Sequence, residues 1–273
     1  MKKLLLLAAA VISVIAYLNY SSASVPVALE KKIIENGNAE SISDDIPAIK
    51  VMTYNIHRGI NKNNELDLDG IVEVIKNSGA EIIALQEVER YSVRTGFKDQ
   101  IGYIADKLSM HYAFGKSINI LNGQYGNAIL SIYPIEEYEV SKLPSEGERR
   151  TLLKAGLDID GNKISVYNTH LGLNESERAM QIEEIIKITG DDKYFLLAGD
   201  FNMRSDKLAM IYKSLTDCAS FEDGEEKVTF ESEGLSERID YIFVSKEFEI
   251  KEFDVIHTDA SDHYPVISKI KLN

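Results

Sequence analysis

Short apolar runs that each end on a polar, chemistry-bearing residue most limit what this chain can fold into. Ile49–Asn55 reads IKVMTYN and ends on Asn55. Residues 81–86 read EIIALQ and hand on to Glu87. Residues 163–168 lead into Thr169 and His170, and 194–198 lead into Gly199, Asp200, Phe201 and Asn202. Runs this short and this rich in Val, Ile and Tyr are read as strands rather than helices. Residues 127–133 and 135–142 are two more, separated by Pro134. Residues 152–158 and 163–168 flank Asp160-Gly161-Asn162, a hairpin turn signal. The stretches 239–244, 249–256 and 264–272 close the chain as strands.

Helices are expected between them. In 66–78, Leu68, Ile71, Val72 and Ile75 recur at helical spacing and Gly79 supplies the stop. Residues 99–108, 175–189 and 206–214 are the other three, with Ala179, Ile182, Ile185 and Ile186 on one face of the longest. Strands mostly in hairpins, with few helices, fit a β-sandwich with helices packed outside. No repeat or composition break interrupts 48–273, which reads as one domain.

The N-terminus reads differently. Lys2 and Lys3 precede an apolar run from Leu4 to Leu18, broken only by Ser13, and small residues follow at 21–24. This is the pattern of a secretory signal, with cleavage near 22–24. The run is shorter than the ~20 residues that cross a bilayer comfortably, so export is favoured over a signal anchor. Residues 25–47 lack aromatics and periodicity and read as a solvated linker. The protein is thus expected in the periplasm or outside the cell, or else anchored at the membrane by residues 1–24. A single cysteine, Cys218, excludes an internal disulfide and a four-cysteine zinc site.

Charge narrows the partners. The chain carries 30 Lys and Arg against 44 Asp and Glu, a net charge of −14. Such a surface argues against a protein that lives by non-specific grip on nucleic acid or anionic lipid. It still allows an enzyme that meets phosphate through a bound cation. Seven acids and one lysine fall in 222–237, expected to be an exposed acidic loop.

Any one polar residue after a strand is usually a turn former or a cap. Several such edges together carry carboxylates, amide oxygens and two imidazoles, with no thiol cluster. That donor set suits a hard cation such as Mg²⁺, Mn²⁺ or Ca²⁺. Two histidines beside acids add acid–base capacity. Together they are what metal-assisted hydrolysis of a phosphoester requires.

The strings TYNIHRG, IIALQEV, YGNAILS, YNTHL, LAGDFN, RIDYIFV and SDHYPV stand in that order. The sequence resembles the endonuclease/exonuclease/phosphatase superfamily, whose members include nucleases, sphingomyelinases and inositol-polyphosphate phosphatases. The resemblance runs from about Val51 to Val266. It implies an α/β (α+β) fold: a four-layer αββα sandwich of two mainly antiparallel sheets flanked by helices. It also implies a hydrolase that uses Mg²⁺ (or Mn²⁺). By motif, Asn55 and Glu87 match the metal residues, and Asp262 is a ligand or sits just behind one. His170, Asp200, Asn202, Asp240 and His263 match the catalytic set. Asp240 could partner His263, while Asp200 and His263 both remain candidates for the general base. Arg150 matches a phosphate-contacting arginine, with Arg149 adjacent. His57, just past the metal asparagine, is read as an extra phosphate contact, and His111 and His257 as structural.

These expectations describe a monomeric, exported phosphodiesterase acting by direct attack of water. A lipid headgroup or other small phosphodiester is the expected substrate. The rival is a secreted nuclease, disfavoured by charge, and a non-catalytic binding module ranks last. No basic, aromatic-interleaved insertion suited to gripping DNA is present.

Overall fold

The computed structural model describes residues 48–273, apart from 223–226 and 233. The expected signal segment and linker lie outside the described residues. Two six-stranded sheets carry the fold. The first contains β1 (Ile49–Asn55), β2 (Ile82–Arg90), β3 (His111–Ile120), β4 (Gly123–Ser131), β13 (Phe248–Val255) and β14 (Val266–Leu272). Its spatial order is β13-β14-β1-β2-β4-β3. The second contains β5 (Ile135–Leu143), β6 (Arg150–Ile159), β7 (Asn162–His170), β8 (Phe195–Asp200), β9 (Thr216–Asp217) and β12 (Asp240–Val244), in the order β5-β6-β7-β8-β12-β9. A small hairpin, β10 (Phe230–Ser232) with β11 (Leu235–Glu237), stands apart.

Each sheet holds one parallel pair, β1 with β2 and β7 with β8. A parallel pair needs a crossover, and a helix supplies it each time. Helix α1 (Leu68–Ser78) follows β1, and α3 (Glu175–Thr189) follows β7, while α2 (Gln100–Leu108) links β2 to β3. The helices begin on side chains that satisfy their first amides. Asp67 accepts from Gly70 N at 2.8 Å, and Asn174 from Ser176 N at 2.9 Å. Gly79, at φ 66°, ends α1 in the left-handed conformation glycine tolerates best.

Three apolar layers explain the unbroken character of the strands. Val51, Ile82, Ala84, Val166, Leu196 and Ile242 fill the space between the sheets. Their alternates on the first sheet, Met52, Tyr54, Ile83 and Leu85, meet Ile71, Ile75, Ile101 and Ile104 of the helices outside. On the second sheet Tyr167, Leu197 and Phe243 meet Ile182 and Ile185 of α3. Both faces of the central strands are therefore buried, so no polar alternation survives in them. The result is the expected four-layer αββα sandwich.

Three local expectations need correction. Residues 206–214 do not form an α-helix. Two 3₁₀ turns, Ser205–Lys207 and Ile211–Lys213, stand there instead. Leu208, Ile211 and Leu215 anchor this short segment to the core, and i→i+3 bonds such as Ser214 N to Ile211 O (3.0 Å) suffice for its backbone. Strand β3 escaped the sequence reading because it is an edge strand whose inward positions include Ala113 and Gly115, too small to give a pattern. The acidic stretch 222–237 is not wholly loop, because β10 and β11 pair within it and Phe230 bridges to His263. No helix of the described residues is long and apolar enough to cross a membrane.

Candidate active site

The polar strand ends meet along one margin of the sandwich. In the second sheet they share a single register row. His170 of β7 lies opposite Asp200 of β8, and Asp200 lies opposite Asp240 of β12. Three chemistry-bearing side chains thus stand side by side on three adjacent strands. Gly199 permits the close approach just before them: a Cβ there would fall 2.0 Å from Thr169 O.

The first sheet contributes Asn55 and Glu87. Asn55 is buried and donates from Nδ2 to Asp200 Oδ2 at 3.0 Å, with Glu87 Oε1 at 3.4 Å. Its Oδ1 accepts from His57 N at 3.0 Å. Glu87 reaches this point only because β2 breaks register between Leu85 and Val88. Glu87 sits in that bulge at φ 58°, a left-handed conformation unusual for a residue with a side chain. Gln86 before it points between the sheets, so strict alternation would aim Glu87 at the helices. The bulge returns it to the site.

Below this margin Gln86 and Asn168 tie the sheets together. Gln86 Nε2 donates to Asn168 Oδ1 at 2.8 Å and Thr53 Oγ1 at 3.0 Å. Asn168 Nδ2 donates to Leu85 O and Ala128 O, each at 2.8 Å. Buried bonds of this kind fix the spacing of the two halves of the site.

The segment 261–263 closes the arrangement. Ser261 Oγ donates to Asn55 O at 2.8 Å, which pins the segment to the end of β1. His263 Nδ1 lies 2.9 Å from Asp240 Oδ2, and its Nε2 lies 3.7 Å from Asp200 Oδ2. Phe230 of the small hairpin packs on the imidazole, ring centres 4.7 Å apart. Thr229, fully buried, donates from Oγ1 to Asp240 Oδ2 at 2.7 Å. The same oxygen accepts from Ile239 N and Asp240 N at 3.0 and 3.1 Å.

These contacts leave the two histidines in different protonation states. Burial alone would lower the His263 pKa, but the facing Asp240, with Asp200 and Asp262, pushes it up to about 10. His170 is held well below the ordinary histidine value by burial, then by Arg150 and His263. One imidazole is therefore cationic and the other neutral near pH 7. Asp200 is pushed up to about 7 by burial and by Asp240, against the pull of His263, Asn55 and the Asn202 amide. Asn202 N donates to Asp200 Oδ1 at 2.9 Å, and Asn202 Nδ2 to Leu171 O at 3.0 Å.

The remaining expected residues stand at the rim. Asp262 Oδ1 lies 3.5 Å from His57 Nδ1, and His57 Nε2 lies 2.7 Å from Arg58 Nη2. Of the two adjacent arginines, Arg150 is buried and Arg149 exposed. Arg150 pairs with Glu148 Oε1 at 3.2 Å, and its Nε is buried with no partner. The structure thus links Asn55, Glu87, His170, Asp200, Asn202, Asp240 and His263 into one network, and pairs Asp262 with His57 beside it. Thr229 and Ser261 were missed in sequence. Their signals were faint: a threonine inside an acidic run, and a serine before Asp262-His263.

The donor set fits a hard divalent ion. The tightest His/Asp cluster among the described residues is Asp200, Asp240 and His263, with ligating atoms within 4.8 Å of one another. Both nitrogens of His263 already face carboxylates there, so its own proton supplies the positive charge. Glu87, by contrast, faces only the Asn55 amide, and no Lys or Arg pairs with it among the described residues. An uncompensated carboxylate among oxygen donors suits a hard divalent cation.

The fold and the site together define a metal-dependent hydrolase scaffold. Residues 52–263 match the Endonuclease/Exonuclease/phosphatase family model, and the chain belongs to that family. It is 33% identical over 169 residues to a protein of Escherichia coli K12 named Uncharacterized protein YbhP, which covers 57% of this chain and 67% of that one. A 5'-tyrosyl-DNA phosphodiesterase of Caenorhabditis elegans is 24% identical over 233 residues, or 80% of this chain and 61% of that one. The crystal structure of an endonuclease/exonuclease/phosphatase from Beutenbergia cavernae superposes with a TM-score of 0.68 at 22% identity, covering 83% of this chain and 72% of that one.

Proposed function

We propose that this protein is an exported, Mg²⁺-dependent (or Mn²⁺-dependent) phosphodiesterase that cleaves a small phosphodiester or a lipid headgroup by direct attack of water. Asn55 and Glu87 would hold the cation, with Asp262 close behind. When bound, the ion neutralises charge on the phosphoryl oxygens. Asp200 is placed to take the proton of the attacking water, because both of its oxygens are held and its pKa lies near neutrality. His263 keeps its proton through Asp240 and offers Nε2–H to the phosphoryl group. Neutral His170 and Arg150 add polar contacts on the other side of Asp200. Stabilising developing charge with prearranged donors lowers the barrier without reorganisation. Cys218 is buried in the core, and no serine or cysteine joins the site as a nucleophile.

The observation that carries the substrate class is the pairing of the arginines. A nuclease needs free cations along a groove, each neutralising a phosphate. Arg90 pairs with Asp99, Arg94 with Glu89, Arg150 with Glu148 and Arg238 with Asp217. These four arginines near the motifs are thus already neutralised. Added to a net charge of −14, this favours a substrate with one or two phosphates. The nuclease reading keeps one support, the likeness to the 5'-tyrosyl-DNA phosphodiesterase.

One panel separates the readings. The purified protein with Mg²⁺ is assayed on plasmid DNA, sphingomyelin, phosphatidylinositides and bis-p-nitrophenyl phosphate across a salt series. Turnover of the small or lipid substrates with shallow salt dependence is expected, and EDTA should abolish it. Efficient plasmid nicking that falls steeply with salt would replace this reading with the nuclease.

A further inference from the structure

Beyond Glu87, β2 runs into a loop that exposes large apolar side chains. Tyr91, Val93 and Phe97 are 49%, 50% and 61% exposed, and Leu121 at the β3–β4 turn is 58% exposed. One backbone bond joins the two segments, Val93 N to Leu121 O at 3.4 Å. Isolated exposed apolar residues need no explanation, but a contiguous group on one rim does.

The chain spends conformational energy to present them. Tyr91, Phe97 and Leu121 adopt φ values of 58°, 59° and 43°. For bulky residues that region is strained. Bonds from Tyr91 N to Lys98 O (2.9 Å) and from Phe97 N to Ser92 O (2.8 Å) hold the loop in this form. A loop optimised only for solubility would place glycine or asparagine at such positions.

Charge says what the rim faces. The chain has 44 acids, yet none occurs in 91–98 and none in 107–135. Arg94 pairs with Glu89 and Arg90 with Asp99, so the nearby acids are compensated. Lys98 and the exposed Lys116 add positive charge. Asp99 also accepts from the Tyr91 hydroxyl at 2.9 Å, so the acids here are all paired. Aromatic and aliphatic tips with flanking cations thus give this rim a local charge unlike the −14 of the whole chain, and match the interfacial region of an anionic bilayer.

The rim also borders the site. Arg90 lies three residues beyond Glu87 on β2. Tyr125, two residues after the start of β4, feels Glu87, Arg150 and Asp200, and burial with Glu87 raises its hydroxyl pKa.

We propose that Tyr91, Val93, Phe97 and Leu121 form a docking surface for an anionic lipid bilayer. Docking there sets the headgroup layer against the mouth of the site. This deepens the lipid-headgroup reading of the site and rests on it for its catalytic meaning.

The chain has no tryptophan, which gives a clean test. Full-length Phe97→Trp and Leu121→Trp variants are mixed with phosphatidylcholine–phosphatidylglycerol vesicles containing brominated lipid. Tyr138→Trp serves as control, since Tyr138 is exposed on β5 between Glu137 and Glu139. Either rim tryptophan should shift to shorter wavelength and be quenched, with no change in the control. Absence of a shift at both rim positions, an equal shift in the control, or a response to duplex DNA in place of vesicles would overturn the proposal. Blue emission before vesicles are added would also overturn it, since the chain itself or a second copy would then cover the rim. Turnover of bis-p-nitrophenyl phosphate by the same variants reports on the site alone, so loss of docking and loss of the catalytic reading are told apart.

Discussion

At the residue scale the proposed chemistry rests on His263 and Asp240, with Thr229 bonded behind Asp240. Removing the imidazole in His263→Ala should lower the rate at least ~100-fold while leaving the fold intact, the low end for losing an acid–base group. Near-normal turnover in steady-state assays would remove His263 from the mechanism. Thr229 acts through Asp240. It touches Asp240 Oδ2 and two backbone amides, and Asp240 Oδ1 is buried with no partner. Thr229→Val keeps the shape and deletes all three buried bonds, each worth about 1 kcal/mol. We expect a several-fold drop in kcat and a shifted pH–rate profile. A changed melting temperature with an unchanged profile would assign Thr229 to packing alone.

At the scale of elements, the bulge of β2 sets function against stability. Glu87 pays for its left-handed backbone, and glycine at the same place would not. Glu87→Gly should therefore abolish metal-dependent turnover without lowering the thermal midpoint, which calorimetry can establish. The turn leading into β8 gives a pH test. Burial would raise the Asp192 pKa, but bonds from Lys154 (2.8 Å), Ser165 and Tyr167 (2.6 Å) outweigh it and hold the carboxylate below its ordinary value. A depressed carboxylate stabilises the fold above its unfolded pKa, and that contribution is lost as pH falls through the folded value. The loss belongs below about pH 4. Asp192→Asn should flatten the fall of stability in that range when denaturant midpoints are compared between pH 7 and pH 3.

At the scale of the whole molecule, the proposed export is open to a direct test. Mass spectrometry of the native protein should find an N-terminus near Val25. An intact Met1 in the cytosol would refute export, and an intact Met1 in a membrane fraction would favour the anchor.

The sequence alone was enough for most of the strands and for a β-sandwich with helices outside, and the family resemblance supplied the αββα layering, whereas β3 and the β10–β11 hairpin were not legible in it. Strands buried on both faces must be continuously apolar, so their polar ends stand out, and a site built from strand ends is visible in one dimension. Tertiary structure decided what pairs with what. Asp200 lies beside both His170 and Asp240 only through strand register, a relation across 30 and 40 residues that local pattern does not encode. The different protonation of the two histidines follows from their neighbours: His263 faces Asp240, whereas buried His170 lies near Arg150 and His263. Glu87 turns toward Asn55 through a bulge with no local signature. Arg90, Arg94, Arg150 and Arg238 are neutralised by acids up to 21 residues away, as Arg238 is by Asp217. Composition counts charges, but field and access depend on distances, and only the packed chain sets those.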